Sequence, residues 1–115
     1  MTLYTLYIMV TADRRRTKIG YTSRTAKVRA YELFRLFGIR YKVIDTVQFH
    51  GNRVRARHIE AAVQDYYQDL QGIVWDSKTD DHFFTDGRFT EKTIAQRFRQ
   101  AIAQASKGQA WELVE

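Results

Sequence analysis

Nearly every residue from Leu3 to Val10 is β-branched, aromatic or large and apolar, a pattern that predicts a strand buried on both faces. The polar run from Thr11 to Arg16 predicts a turn, and Thr17 to Thr22 predicts a second short strand. Together these segments predict a β-hairpin with a longer loop, in which no Asn-Gly or Asp-Gly pair defines the turn type.

Three segments carry apolar residues at the spacing of one helical face, namely residues 24–37, residues 53–71 and a segment that begins after Thr90. The predicted buried faces are, in order, Ala26, Ala30, Leu33, Phe34 and Phe37; Ile59, Ala62, Val63, Tyr66 and Leu70; and Ile94, Phe98, Ala101, Ile102 and Ala105. Gly38 is a natural residue to end the first helix. Thr90 is a natural N-cap for the third helix, because its hydroxyl oxygen can accept a hydrogen bond from the first turn.

A third strand is predicted from Arg40 to His50, because apolar and polar residues alternate there. The residues expected on one side of this strand are Tyr41, Val43, Val47 and Phe49. Asp45 interrupts that side. Residues 72–89 are polar and turn-rich around a short aromatic island at Phe83-Phe84, a pattern typical of a loop that leaves the order of this segment open.

The order of elements is therefore β-β-α-β-α-α, which predicts an α+β fold: a three-stranded, mainly antiparallel sheet, made of the hairpin and the third strand, flanked by helices. A chain of 115 residues is of the size that usually forms one core. We expect a single domain over residues 1–106 and a C-terminal tail over residues 107–115.

The chain has no cysteine, which excludes disulfides, thiolate zinc sites and a cysteine nucleophile. The longest uncharged stretch, Met1 to Ala12, is too short to cross a membrane and lacks the basic start and small-residue cleavage site of a signal peptide. We therefore expect no membrane partner; the compartment stays open, with a cytoplasmic location as the default.

The net charge of +6 is distributed unevenly along the chain. Residues 12–60 contain 13 Lys and Arg against 4 acidic residues, a net charge of +9, whereas residues 61–115 have a net charge of −3. The first half is thus the candidate binding region, suited to a phosphate backbone or to an acidic partner. A solvated basic surface with no specific role is the alternative.

Several common sites find no support in the sequence. The histidines, His50, His58 and His82, lack H-x-x-x-H spacing, and the aspartates after residue 75 lack the order of a calcium loop. Neither a Walker loop nor G-x-G-x-x-G occurs. Nucleotide hydrolysis and dinucleotide redox chemistry are therefore disfavoured.

One set of residues fits phosphodiester cleavage, which needs a group that orients water, a cation near the phosphate and usually a carboxylate that holds a divalent metal. Tyr7 lies mid-strand in the hairpin, Lys18 lies in the partner strand, and Arg29 and Glu60 lie on the first and second helices. Each has an ordinary alternative role: Glu60, for instance, has the spacing of a surface ion pair with Arg57.

In their order along the chain, these residues resemble the motifs of the GIY-YIG nuclease domain. The matching segments are T-L-Y at Thr5 to Tyr7, K-I-G-Y-T at Lys18 to Thr22, Arg29 before an apolar helix, and Glu60 in H-I-E-A-A-V. The sequence is most similar to the branch of small phage and bacterial proteins whose second motif reads K-I-G. The resemblance covers residues 3–71 and, more loosely, Phe83-Phe84 and the last helix.

The resemblance implies an endonuclease that hydrolyses DNA with one metal ion, Mg²⁺ or Mn²⁺, held by Glu60. Tyr7 and Lys18 would orient a water molecule and help to remove its proton, and Arg29 would stabilise charge on the phosphate. The basic residues expected to bind the DNA backbone are Arg14, Arg15, Arg16, Arg24, Lys27, Arg53, Arg55 and Arg57. The oligomeric state stays open between a monomer and a homodimer.

Three positions depart from the family pattern: Thr5 and Leu6 in the first motif, and Leu33 four residues after the arginine. They leave two alternatives open. The first is a noncatalytic module of the same fold that binds nucleic acid or protein. The second is a binder of an acidic partner, such as an anti-restriction or inhibitor protein.

Overall fold

The structure is a computed structural model. It describes residues 2–71, 75–76, 82–84, 87–107 and 112–114. The strands are β1 (Thr2–Val10), β2 (Arg16–Thr22), β3 (Lys42–Gly51), β4 (Trp75–Asp76), β5 (His82–Phe84) and β6 (Glu112–Val114). The helices are α1 (Ala26–Phe37), α2 (Arg53–Gln71) and α3 (Glu91–Ser106). The predicted α+β class and the order β-β-α-β-α-α of the longer elements are confirmed.

The described strands form one sheet in the order β4-β5-β2-β1-β3-β6, in which every pair is antiparallel. Its centre is the predicted three-stranded unit, and the sequence pattern missed the short strands β4, β5 and β6. Strands of two or three residues are too short to show a period, so only their pairing partners reveal them. The rest of the predicted loop up to residue 86, and residues 108–111 and 115 of the predicted tail, lie outside the described residues.

The outer side of β2 is only partly covered. Strand β5 pairs with Arg16 to Lys18, and within the described residues no strand lies beside Ile19 to Thr22 on the side away from β1. Where no strand continues the sheet, side chains from both of its faces can reach the same edge. This edge is where the candidate site lies.

The prediction that four apolar residues of β3 share one side is wrong. The register with β1 shifts so that Ile8 faces Asp45 and Met9 faces Val43, which leaves Ile44 as the extra residue of a β-bulge. Because side chains alternate between faces, one extra residue transfers the rest of the strand to the opposite face. Tyr41 and Val43 therefore pack on the α1 side, whereas Val47 and Phe49 pack on the α2 and α3 side.

The sheet separates two apolar cores. The smaller one lies under α1, around Tyr7, Met9 and Leu33. The larger one lies between the sheet and the α2–α3 pair. None of the helices in the described ranges is long and apolar enough to cross a membrane.

The predicted buried faces of the three helices agree with the structure to different extents. The face of α3 is confirmed in full, since all five residues are buried. On α2 the prediction of Tyr66 is wrong, because Tyr67 is buried and Tyr66 is 42% exposed. On α1, Phe37 is 63% exposed, since the helix ends there. The two predicted end signals are confirmed: Gly38 closes α1 in a left-handed conformation, and the Thr90 side chain accepts a hydrogen bond from the Thr93 backbone.

Candidate functional site

A cleft of about 690 Å³ lies along the part of β2 that no strand of the described residues pairs with on its outer side. It is lined by Tyr4, Tyr7, Lys18, Gly20, Tyr21, Thr22, Ser23, Arg24, Arg29, Arg53, Arg57 and Glu60. The four residues singled out from the sequence as a catalytic set, Tyr7, Lys18, Arg29 and Glu60, are all among them. Residues up to 53 positions apart in the chain thus share one surface.

The hairpin register sets the positions of Tyr7 and Lys18. Tyr7 lies opposite Gly20, and Lys18 lies opposite Met9 two residues further along β1. Directly opposed residues point to the same face, and Tyr7 and Met9 belong to the core under α1. The phenol of Tyr7 and the amine of Lys18 therefore lie on the α1 side, with Lys18 only 3% exposed.

Gly20 makes room for the Tyr7 ring. A Cβ atom at position 20 would overlap with the Tyr7 hydroxyl oxygen and would lie 2.7 Å from the ring carbon that carries it. Atoms in folded proteins do not approach so closely without displacing one another. The glycine of the K-I-G motif therefore has a direct steric role, which is to let the phenol lie flat across β2.

Arg29 lies on α1, and its side chain reaches Tyr7 from the face of the sheet that α1 covers. Burial acts to lower the pKa of Arg29, but its hydrogen bonds with Tyr7 and with Glu32 raise that pKa above its ordinary value. The guanidinium therefore stays charged at every pH at which the protein folds. Its Nη1 atom donates to Glu32 Oε2 at 3.2 Å.

Glu60 lies on α2, on the opposite side of the sheet from α1. It is half-buried, at the rim of the apolar face that includes Ile59 and Val63. Gln64, one helical turn further, donates from Nε2 to the backbone carbonyl of Ile19 at 2.8 Å. This bond ties α2 to the open edge of β2 and so holds Glu60 beside the strand that carries Lys18.

The open edge explains how residues from both faces meet. Tyr7, Lys18 and Gly20 belong to the α1 side of the sheet, whereas Tyr4 and Tyr21 pack in the core on the α2 side. In the described part of the chain no strand covers this stretch of β2, so the cleft wraps around its edge. A closed sheet would have kept the two groups apart.

The cleft is strongly basic. Among the described residues that line it, Lys18, Arg24, Arg29, Arg53 and Arg57 are basic and Glu60 is the single carboxylate. A concave surface with one dominant sign of charge concentrates ions of the other sign. The cleft therefore suits an anionic ligand with several charges.

The residues predicted to bind a DNA backbone divide into two groups. Arg24, Arg53 and Arg57 line the cleft. The other five, which do not line it, are Arg14, Arg15, Arg16, Lys27 and Arg55. Of these, Arg14 lies in the β1–β2 turn and donates from Nη2 to the Gly87 carbonyl at 3.3 Å, so it helps to anchor that turn.

The side chains at the cleft fit a magnesium ion whose remaining ligands would come from water and from the substrate. No group of three or more His, Asp or Glu side chains comes together within the described residues, so they form no preformed cage for a metal. Mg²⁺ commonly binds through one or two carboxylates, several waters and the phosphate oxygens of a substrate. Glu60 in a basic cleft that suits anions meets that requirement.

Sequence reasoning missed two side chains that position the set. Glu32 bonds to Arg29 within α1, and Gln64 bonds across 45 positions to Ile19. The i, i+3 spacing of Arg29 and Glu32 was a usable local signal. Nothing local indicated Gln64, because its partner is a backbone carbonyl in another element.

Comparison of the chain with protein-family models, with curated proteins and with solved structures gives no match.

Proposed function

We propose that this protein is a metal-dependent endonuclease of the GIY-YIG type that hydrolyses DNA phosphodiester bonds. The observation that carries the proposal is that Tyr7, Lys18, Arg29 and Glu60 line one basic cleft. The resemblance in sequence motifs and the geometry of the cleft are independent of each other. The motifs order these residues along the chain, and only folding brings them together.

Arg29 is the group that we assign to the phosphate. In hydrolysis, a water oxygen forms a bond to phosphorus as the bond to the leaving 3′ oxygen breaks, and negative charge grows on the phosphoryl oxygens. A guanidinium held in place stabilises that charge without reorganising. Arg29 fits this role because Tyr7 and Glu32 both bond to it.

Tyr7 and Lys18 are the groups that we assign to the attacking water. Both lie on the α1 side of the sheet, on neighbouring strands. A phenol oxygen can accept a hydrogen bond from water while it donates another, which orients the water oxygen towards phosphorus. Lys18 then helps to remove the proton as the new bond forms.

Glu60 is the residue that we assign to Mg²⁺ or Mn²⁺. When bound there, the ion supplies a Lewis acid that polarises the phosphate and stabilises the leaving oxygen. Glu60 reaches the cleft from α2, and the water-orienting groups lie on the other face of the sheet. The phosphate would therefore lie across the edge of β2, with the water-orienting groups on one side of it and Glu60 on the other.

Supercoiled plasmid incubated with the protein and Mg²⁺ tests the proposal. We expect conversion to nicked or linear DNA that stops when EDTA removes the metal. DNA binding that weakens with salt but is never followed by cleavage would favour the noncatalytic module. Absence of DNA binding even at low salt would favour a binder of an acidic protein partner.

We expect the cleft arginines to dominate the salt dependence of binding. Each phosphate contact contributes about −0.9 to the slope of log K against log salt on duplex DNA. Arg57→Gln, in the cleft, should make that slope shallower by about 0.9, whereas Arg15→Gln, an exposed residue outside it, should leave it unchanged. Fluorescence anisotropy of labelled duplex DNA in EDTA measures both slopes. An equal change of slope in the two variants would mean that the DNA also contacts the β1–β2 turn.

A further inference from the structure

Glu32 bonds to two arginines at the cleft. It lies on α1, half-buried, three residues after Arg29. Its Oε2 atom accepts a hydrogen bond from Arg29, and its Oε1 atom forms an ion pair with Arg24. Both arginines line the cleft, whereas Glu32 is not among its lining residues. Glu32 thus acts on the cleft only through its partners.

We infer that Glu32 is a positioning residue with two opposed effects. It holds the Arg29 guanidinium beside Tyr7, which favours cleavage. It also pairs with Arg24 until a phosphate group displaces it, which weakens DNA binding. The first effect rests on the nuclease function proposed above, and the second concerns binding of a nucleic-acid phosphate alone.

The first effect follows from how Arg29 is held. Tyr7 and Glu32 both form hydrogen bonds with its side chain, and a planar guanidinium needs more than one fixed contact to keep its orientation. Without the carboxylate, Arg29 would keep its charge and its contact with Tyr7 but could rotate about the bonds of its long side chain. Small misplacements of catalytic groups reduce rates by as much as ~100-fold.

The second effect follows from where Arg24 lies. Its side chain is 59% exposed, against 27% for that of Glu32, so a ligand can reach Arg24 from the solvent. A phosphate oxygen can form the same charge-assisted contact with an arginine as a carboxylate oxygen does. Incoming DNA therefore has to displace Glu32 from Arg24, and this exchange lowers the net affinity of the cleft for DNA.

Glu32→Gln separates the two effects, because it keeps the size of the side chain and removes its charge. We expect DNA to bind about 3-fold or more tightly, since Arg24 is released and a negative charge beside the cleft is lost. We expect the single-turnover cleavage rate at saturating DNA to fall about 10-fold or more. A merely structural residue would not change affinity and rate in opposite directions.

Glu91→Gln is the matched control. Glu91 pairs with Lys42 at 3.0 Å and does not line the cleft, so its replacement makes the same change in net charge and also removes one surface ion pair. Arg24→Gln in the Glu32→Gln background is the second control, and it should abolish the gain in affinity. Urea unfolding should show that all variants remain folded.

The measurements are anisotropy of fluorescein-labelled duplex DNA in EDTA, and cleavage of the same DNA with Mg²⁺. An affinity of Glu32→Gln no tighter than that of Glu91→Gln would overturn the effect on Arg24. An unchanged cleavage rate would overturn the effect on Arg29. If the wild-type protein binds but never cleaves, the nuclease proposal and the effect on Arg29 both fail, and the anisotropy data still decide the effect on Arg24.

Discussion

Replacement of Glu60 by glutamine is expected to reduce Mg²⁺-dependent cleavage about 100- to 1,000-fold and to leave metal-free DNA binding at least as tight as in the wild type. Glu60 is the single carboxylate among the described residues that line the cleft. Mg²⁺ prefers charged oxygen ligands, and a neutral amide of the same shape is a far weaker ligand. Removal of a negative charge from a basic cleft gives no reason for DNA to bind more weakly.

The experiment compares cleavage rates over a range of Mg²⁺ concentrations, with Asp69→Asn as the control. Asp69 lies on the same helix, is exposed and does not line the cleft, so it reports the effect of one lost carboxylate elsewhere on α2. The control should cleave like the wild type. Cleavage by Glu60→Gln at the wild-type rate and at the same Mg²⁺ concentration would remove Glu60 from the metal site.

Gly20→Ala is expected to cause the second large effect, a loss of both stability and cleavage. The added methyl group would overlap with the Tyr7 hydroxyl, and Tyr7 is only 1% exposed, so the ring has little room to move away. Overpacking of this kind costs about 1–3 kcal/mol in the free energy of unfolding. Because the displaced atom is the hydroxyl that we assign to the water, cleavage should fall by about 10-fold or more even in the folded fraction.

Gly51→Ala is the matched control for Gly20→Ala. Gly51 is also a buried strand glycine, but the three atoms nearest to a Cβ there all belong to the flexible side chain of Arg55, at 3.2 Å or more. Its stability should change by less than about 1 kcal/mol. Tyr7→Phe combined with Gly20→Ala should recover part of the lost stability and none of the activity. Wild-type stability and rate in Gly20→Ala alone would show that the close approach is not required.

The local features of the fold could be predicted from the sequence because their causes are local. The buried face of α3 depends on residues spaced three or four apart, and one helix packs all of them against the same core. The end of α1 at Gly38 and the start of α3 at Thr90 depend on the conformation of single residues. The four candidate catalytic residues were identified differently, because the order of their short motifs along the chain resembles that of a nuclease domain.

Contacts between distant segments could not be predicted in this way. The bulge at Ile44 moves Val47 and Phe49 to the other face, and no periodicity within β3 alone indicates where an extra residue is placed. The short strands β4, β5 and β6 exist because longer strands offer them an edge. Tyr67 is buried instead of Tyr66 because of what packs against α2, which depends on the sheet and α3.

The sequence by itself determined which side chains are available for chemistry and which local elements carry them: Tyr7 and Lys18 on a hairpin, Arg29 and Glu60 on helices. Only the tertiary structure decided that these side chains share a cleft. The physical reason is that α1 and α2 lie on opposite faces of the sheet, and their side chains share the cleft where, among the described residues, no strand pairs with β2 beyond Lys18 on its outer side and Gln64 bonds α2 to the Ile19 carbonyl.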